Sequence, residues 1–130
     1  MCGILFGLDP TDSVSLETRE AALRVMARRG PDAHVLEAGD GWFAGHRRLS
    51  IIDLSEAANQ PFRDASGRYV IVYNGELYNF RELGQRLRSE GHRPRTTSDT
   101  EVLLLAIIAW GWRRALAEAR GMFAFALWDA

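Results

Sequence analysis

The sequence predicts an α+β layered domain, and three observations carry that expectation. Apolar β-type runs stand near both ends of the chain and in its middle, at 2–8, 69–73 and 122–128. Between them lie stretches whose apolar residues recur at helical spacing behind capping residues. The resulting order, β-α-β-β-β-α-α-β, lacks the alternation of regular βαβ repeats. In 130 residues, 47% hydrophobic and 25% charged, one domain with a single core is expected.

The elements follow in order. Residues 2–8 read as a buried strand stopped by Asp9-Pro10. Leu16, Leu23, Met26 and Ala27 recur on one face and predict a helix over 15–28, ended by Gly30-Pro31 with Arg28 and Arg29 in its last turn. Residues 42–46 and 49–54 predict two further strands, and Asn59-Gln60-Pro61 and 64–67 are turn material. Tyr69 to Tyr73 is a strong β run. Asn79 with Glu82, and Ser98 with Glu101, have the spacing of capping boxes. The first opens a helix with Leu83 and Leu87 on one face. The second precedes 102–110, which is apolar on nearly all sides and so expected to be buried. A short helix over 113–120 and a last strand over 122–128 complete the chain. So apolar a strand needs neighbours at its edges.

Composition excludes several classes. A net charge of -1 leaves no electrostatic footprint for nucleic acid or an anionic membrane. Every basic residue is arginine, so catalysis through lysine is out. The apolar runs are far shorter than a bilayer span, and 2–8 lacks the basic region of a signal peptide. The single cysteine forms no internal disulfide, which suits a cytoplasmic setting. His34, His46 and His92 show no metal-ligand spacing, and no glycine-rich phosphate loop follows a strand.

Cys2 stands directly behind Met1. A small residue at position two allows the initiator methionine to be trimmed, leaving a thiol and a free α-amine on one residue, a nucleophile with its own base. The competing reading is a buried small residue at the start of a strand. A cysteine acting on an amide needs an oxyanion site and a substrate anchor. Asn74-Gly75 offers a side-chain amide and an unhindered N–H, against a two-residue hairpin turn. Arg48 offers bidentate capture of a carboxylate, against a solvated surface arginine. Asp99, beside the Ser98 cap, offers a carboxylate to a cation, against an ordinary first-turn acid.

Seven blocks then occur in order: Met-Cys-Gly-Ile at the start, Arg29-Gly30-Pro31-Asp32, HRRLSIIDLS from His46 to Ser55, Gln60-Pro61-Phe62, YNGELYN from Tyr73 to Asn79, SDTEVLL from Ser98 to Leu104, and GMFAFALWD from Gly121 to Asp129. Together they resemble the glutaminase domain of glutamine-hydrolysing asparagine synthetases, class II amidotransferases of the N-terminal nucleophile type. The resemblance implies an αββα sandwich, here partial. It implies that residues 1–130 are the N-terminal portion of the amidotransferase domain, with its last strand lacking one neighbour.

By the same resemblance Cys2 attacks the side-chain amide of L-glutamine, and Asn74 and Gly75 hold the oxyanion. Arg48 binds the α-carboxylate, and Asp99 with Glu76 binds the α-amino group. Leu49, Ser50, Ile51 and Ile52 line the pocket. Ammonia would pass to a synthetase domain or subunit that amidates aspartate; ATP and magnesium belong to that domain, and this chain is expected to hold no cofactor or metal. A homodimer is compatible with the family. The alternatives are a non-catalytic remnant or binding module of the same fold, or a glutaminase serving another acceptor.

Overall fold

Strand alternation sorts the apolar residues of this chain onto two faces, and the layers follow from that sorting. The computed structural model describes residues 2–130; Met1, and with it the expected trimming, lies outside the described residues. The elements are β1 (Gly3–Leu8), α1 (Leu16–Val25), β2 (Ala33–Gly39), β3 (Trp42–Arg48), β4 (Phe62–Arg63), β5 (Tyr69–Leu77), α2 (Phe80–Ser89), α3 (Asp99–Trp110), α4 (Trp112–Glu118) and β6 (Gly121–Asp129). They form two three-stranded antiparallel sheets, ordered β1-β3-β2 and β4-β5-β6.

Even-numbered residues of β1, β3, β5 and β6 face inward between the sheets. Val70 and Val72 of β5 meet Trp42 and Ala44 of β3, with Ile4, Phe6, Ala126 and Trp128 packed around them. Trp42 stacks on Trp128 at 5.8 Å between ring centroids, so the indoles join the two sheets. Odd residues of β5 and β6, including Ile71, Tyr73 and Leu77, face outward onto α2, α3 and α4. On the far side α1 covers the first sheet, with Leu23 occupying the space beside Gly45. The stack is therefore αββα, as the resemblance implied. Helix α3 lies in the outer core with Leu103, Leu104 and Ala106 fully buried, which explains an apolar surface on all sides. Gly111, at φ +80°, ends it in a conformation few other residues accept.

Several expectations are corrected. Residues 49–54 form no strand; they run as an irregular loop held by side chains. Residues 33–39, which the sequence reading leaves unassigned, form β2, a half-exposed edge strand. Asn74-Gly75 is no hairpin turn, since β5 runs straight through it to Leu77. Asn79 caps no helix with its side chain; its amide bonds Glu118 O (3.0 Å) and its carbonyl accepts from Arg120 N (2.9 Å), tying α2 to the start of β6. Ser98 does cap, taking Thr100 N at 3.2 Å. Glu101 reaches past it to Arg95 N (2.9 Å) and to Thr96 N and Oγ1 (2.6 and 2.7 Å). Among the described strands β6 pairs only with β5, so its other edge is open. No helix among the described residues is long and apolar enough to cross a membrane.

Candidate functional site

At the end of the sandwich away from the indoles, inward-facing positions carry polar groups. Cys2 continues the inner face of Ile4 and Phe6. In the β1–β3 register Gly3 pairs with Arg47, so Cys2 and Arg48 come side by side one step further. Asn74 continues the inner face of Val70 and Val72 on β5. These residues line a cavity of about 230 Å3 with Leu49, Ile51, Ile52, Gly75, Glu76 and Asp99, and with His46, Gln60, Thr100 and Met122. Of the positions expected in the site, only Ser50 is not brought to the lining. Its N–H is bound to the Asp32 carboxylate at 2.7 Å, which holds the loop from behind.

The thiol sits against the loop after β3. Leu49 N–H donates to Cys2 Sγ at 3.4 Å, and Sγ–H reaches Leu49 O at 3.7 Å. Arg29 Nε donates to the Cys2 carbonyl at 2.9 Å, so the arginine of the Arg-Gly-Pro-Asp block fixes the backbone of Cys2.

Arg48 is buried and takes on a task the sequence did not disclose. Its Nη1 donates to Ser55 O (2.8 Å) and Asn59 Oδ1 (2.6 Å), and its Nη2 to Asp53 O. The guanidinium thereby shapes the 49–59 loop from inside, while Nε has no acceptor among the described residues. Asp53 closes that loop. Its carboxylate accepts from Ser55 N and Oγ (2.8 and 2.6 Å) and from Thr97 N and Oγ1 (2.9 Å each). These bonds, those of Ser55 first, hold its pKa well below the usual carboxylate range.

The outer edge of β5 explains what Gly75 offers. β4 pairs only with Val70 and Ile71. Beyond them side chains take the place of a strand. Gln60 Oε1 accepts from Tyr73 N at 2.6 Å, His46 Nε2 donates to Tyr73 O at 3.2 Å, and Asp99 Oδ2 accepts from Leu77 N at 3.0 Å. By alternation Gly75, between Tyr73 and Leu77, presents its N–H to this same edge, where it faces the cavity. Gly75 has φ +156°, and a Cβ there would sit 2.2 Å from Met122 O, so β6 permits only glycine. Beside it Asn74 Oδ1 is buried without a hydrogen-bond partner. Such atoms are rare away from functional sites.

His46 and Asp99 are also displaced from their ordinary titration ranges. Burial brings the His46 pKa down to about 4, the Tyr73 carbonyl opposing and the Arg48 charge adding to the fall, so the ring is neutral with its proton on Nε2. Burial raises the pKa of Asp99, against the bonds from Leu77 N and Tyr73 OH (3.1 Å) to Oδ2. Among the described residues no cation pairs with this buried carboxylate.

Comparison with known proteins agrees with this geometry. The family described as "glutamine amidotransferase domain" matches residues 1–130. The chain is 38% identical over 133 residues to asparagine synthetase [glutamine-hydrolyzing] 3 of Bacillus subtilis, covering 99% of this chain and 21% of that protein. It is 40% identical over 146 residues to a putative asparagine synthetase [glutamine-hydrolyzing] of Mycobacterium bovis, covering 99% of this chain and 22% of that protein. It thus spans about a fifth of the length of these relatives. Among solved structures, the glutamine phosphoribosylpyrophosphate amidotransferase of B. subtilis, complexed with ADP and GMP, superposes with a TM-score of 0.59. The sequence identity is 27%, over 71% of this chain and 22% of that one. The inner-face thiol, the open N–H on β5 and the match along the whole chain lead to one conclusion: this chain belongs to the glutamine amidotransferase domain family.

Proposed function

We propose that the chain hydrolyses L-glutamine with Cys2 as an N-terminal nucleophile. The observation that carries this reading is one cavity lined by the Cys2 thiol, the unpartnered edge of Gly75 and two opposite charges, Arg48 and Asp99. With Met1 removed, the Cys2 α-amine takes the thiol proton, directly or through a water, and Sγ adds to the side-chain amide carbon of glutamine. The carbonyl electrons move onto oxygen, which accepts from Gly75 N–H and the Asn74 side-chain amide. Collapse of that oxyanion breaks the C–N bond, and the α-amine returns its proton to the departing ammonia. Water then adds to the thioester, which collapses to glutamate and free thiol.

Arg48, through Nε, holds the substrate α-carboxylate. Asp99, with Glu76 at the rim, holds the α-ammonium. The Leu49–Ile52 loop forms a wall, with Ser50 contributing only through the anchoring of its backbone to Asp32.

By kinship with the relatives, the ammonia serves a synthetase domain or subunit that amidates aspartate using ATP and magnesium, and a homodimer is compatible with that family. Among the described residues no group of three or more His, Cys, Asp or Glu could hold a metal.

The test uses a glutamine-analogue electrophile on the purified chain. Intact mass should show loss of Met1 and a single adduct that Cys2→Ala abolishes, and an ammonia assay should show release that glutamine saturates. A retained Met1, or an adduct that survives Cys2→Ala, ends the nucleophile assignment.

A further inference from the structure

Gln60 and His46 take no part in the reaction proposed above, yet both are buried and both bind the residue that precedes Asn74-Gly75. We infer that they are positioning residues that hold the oxyanion donors of β5 in register, an inference that rests on the glutaminase reading. Strand β4 is only two residues long and stops opposite Ile71. From Tyr73 onward, the cavity-side edge of β5 has no backbone partner to set its peptide planes. Gln60 takes the Tyr73 N–H at 2.6 Å and His46 fills the Tyr73 carbonyl at 3.2 Å, so both peptide groups flanking this residue are fixed. Asn74 and Gly75 follow one and two residues on. β6 holds the other edge of β5 along this stretch, pairing Tyr73 with Phe125, Asn74 with Ala124 and Gly75 with Phe123, so the two clamps secure the one edge that the ladder leaves free.

Neither clamp is a loose surface contact. Gln60 is 6% exposed and His46 1%. Gln60 Nε2 donates to Thr100 Oγ1 at 3.2 Å, and Thr100 follows Asp99 at the start of α3. One side-chain amide therefore ties the element carrying the ammonium anchor to the strand carrying the oxyanion donors. His46 donates from Nε2 to the Tyr73 carbonyl, and its place on β3 links the same strand to the sheet that bears Arg48. Loss of either clamp loosens the cavity-side edge of β5 at Tyr73, leaving β6 to hold the strand, without touching the thiol or the carboxylate-binding arginine.

The effect should fall on turnover. Displacing a reacting geometry by about 1 Å can cost on the order of 100-fold in rate. Gln60→Leu and His46→Leu should each lower kcat for ammonia release by roughly 10- to 100-fold with KM little changed. Alkylation of Cys2 by iodoacetamide, which needs no oxyanion hole, should keep its wild-type rate. Gln60→Glu keeps the acceptor for Tyr73 N–H, His46→Gln keeps a donor for its carbonyl, and both should recover most of the lost kcat.

Should Gln60→Leu not fold, Thr100→Val, which removes only the hydroxyl that steadies Gln60, is read in its place. Three results overturn the inference: wild-type kcat in the folded leucine variants, a loss that appears in KM alone, or no recovery in the conservative pair. A wild-type chain that neither takes up the glutamine-analogue electrophile nor releases ammonia brings down the glutaminase reading itself, and this inference with it.

Discussion

Replacing Asp99 by Asn should weaken glutamine binding and leave the fold as stable or more so, two effects of opposite sign from one atom change. Asp99 is 5% exposed, and its Oδ2 accepts from Leu77 N and Tyr73 OH. An asparagine Oδ1 can accept both bonds, so the local frame survives. The charge is lost. A carboxylate and an ammonium about 4 Å apart attract by about 4 kcal/mol at an effective dielectric of ~20, before desolvation is subtracted. Charged hydrogen bonds retain about 1.5–3 kcal/mol net, which corresponds to a KM higher by roughly 10- to 100-fold.

The stability effect runs the other way. Burial raises the Asp99 pKa in the folded chain, so above the ordinary carboxylate pKa the folded state binds more protons at this site than the unfolded state does. Its contribution is fully present below the unfolded pKa and is lost as pH rises through the folded one. At neutral pH the ionised group is therefore a burden that asparagine lifts. Steady-state ammonia release gives KM and kcat, and thermal melting at pH 7 gives the second sign. An unchanged KM with a fallen kcat, or a clear drop in melting temperature, would refute the assignment of Asp99 as the ammonium anchor.

Other outcomes follow from the same geometry. Gly75→Ala forces a Cβ onto Met122 O and Phe123 Cα at 2.2 and 2.4 Å. It should cost at least about 1–3 kcal/mol in chemical denaturation and abolish ammonia release; full activity would remove Gly75 from the oxyanion site. Asp53→Ala removes the clip between Ser55 and Thr97, so limited proteolysis should cut within 49–58 faster than in wild type, and glutamine should bind more weakly. His46, with its folded pKa lowered to about 4 from 6.5, contributes stability above pH 6.5 that is lost as pH falls toward 4, up to about 3 kcal/mol. In His46→Gln that part of the stability profile should flatten, which denaturant melts at several pH values will show. Leu103→Ala empties a fully buried position in the helix-side core and should cost about 3–5 kcal/mol by urea titration.

The elements legible in the sequence are those whose patterns match their burial. β5 carries a long β-branched run because both its faces are covered, β1 and β6 carry apolar runs although they are only partly buried, and α3 is apolar all round because it lies between a sheet and other helices. The segment 49–54 misleads for the opposite reason. Ile51, Ile52 and Leu54 look like a strand, yet they are 62%, 42% and 76% exposed at the mouth of the cavity. Their backbone is held by Arg48 and Asp32 side chains, a partnership that no periodicity reports. β2 escapes because an edge strand with exposed His34 and Val35 carries no clean alternation. Asn79 has the spacing of a cap but is drawn to a partner across the fold. Within the site, Cys2, Arg48, Asn74 and Asp99 stand out because their side chains suit a known chemistry. Gln60 and His46 do not, because what they bind is peptide backbone, which every residue supplies.

The paired indoles give the sandwich a second use. Trp42 and Trp128 stack across the two sheets at the end opposite the cavity, where β3 begins and β6 finishes. Two indoles in such contact couple electronically, so the chain carries a built-in gauge of sheet apposition, readable as near-ultraviolet circular dichroism. Any change in how the two sheets lie against each other at that end should therefore register optically, with no label attached near the thiol.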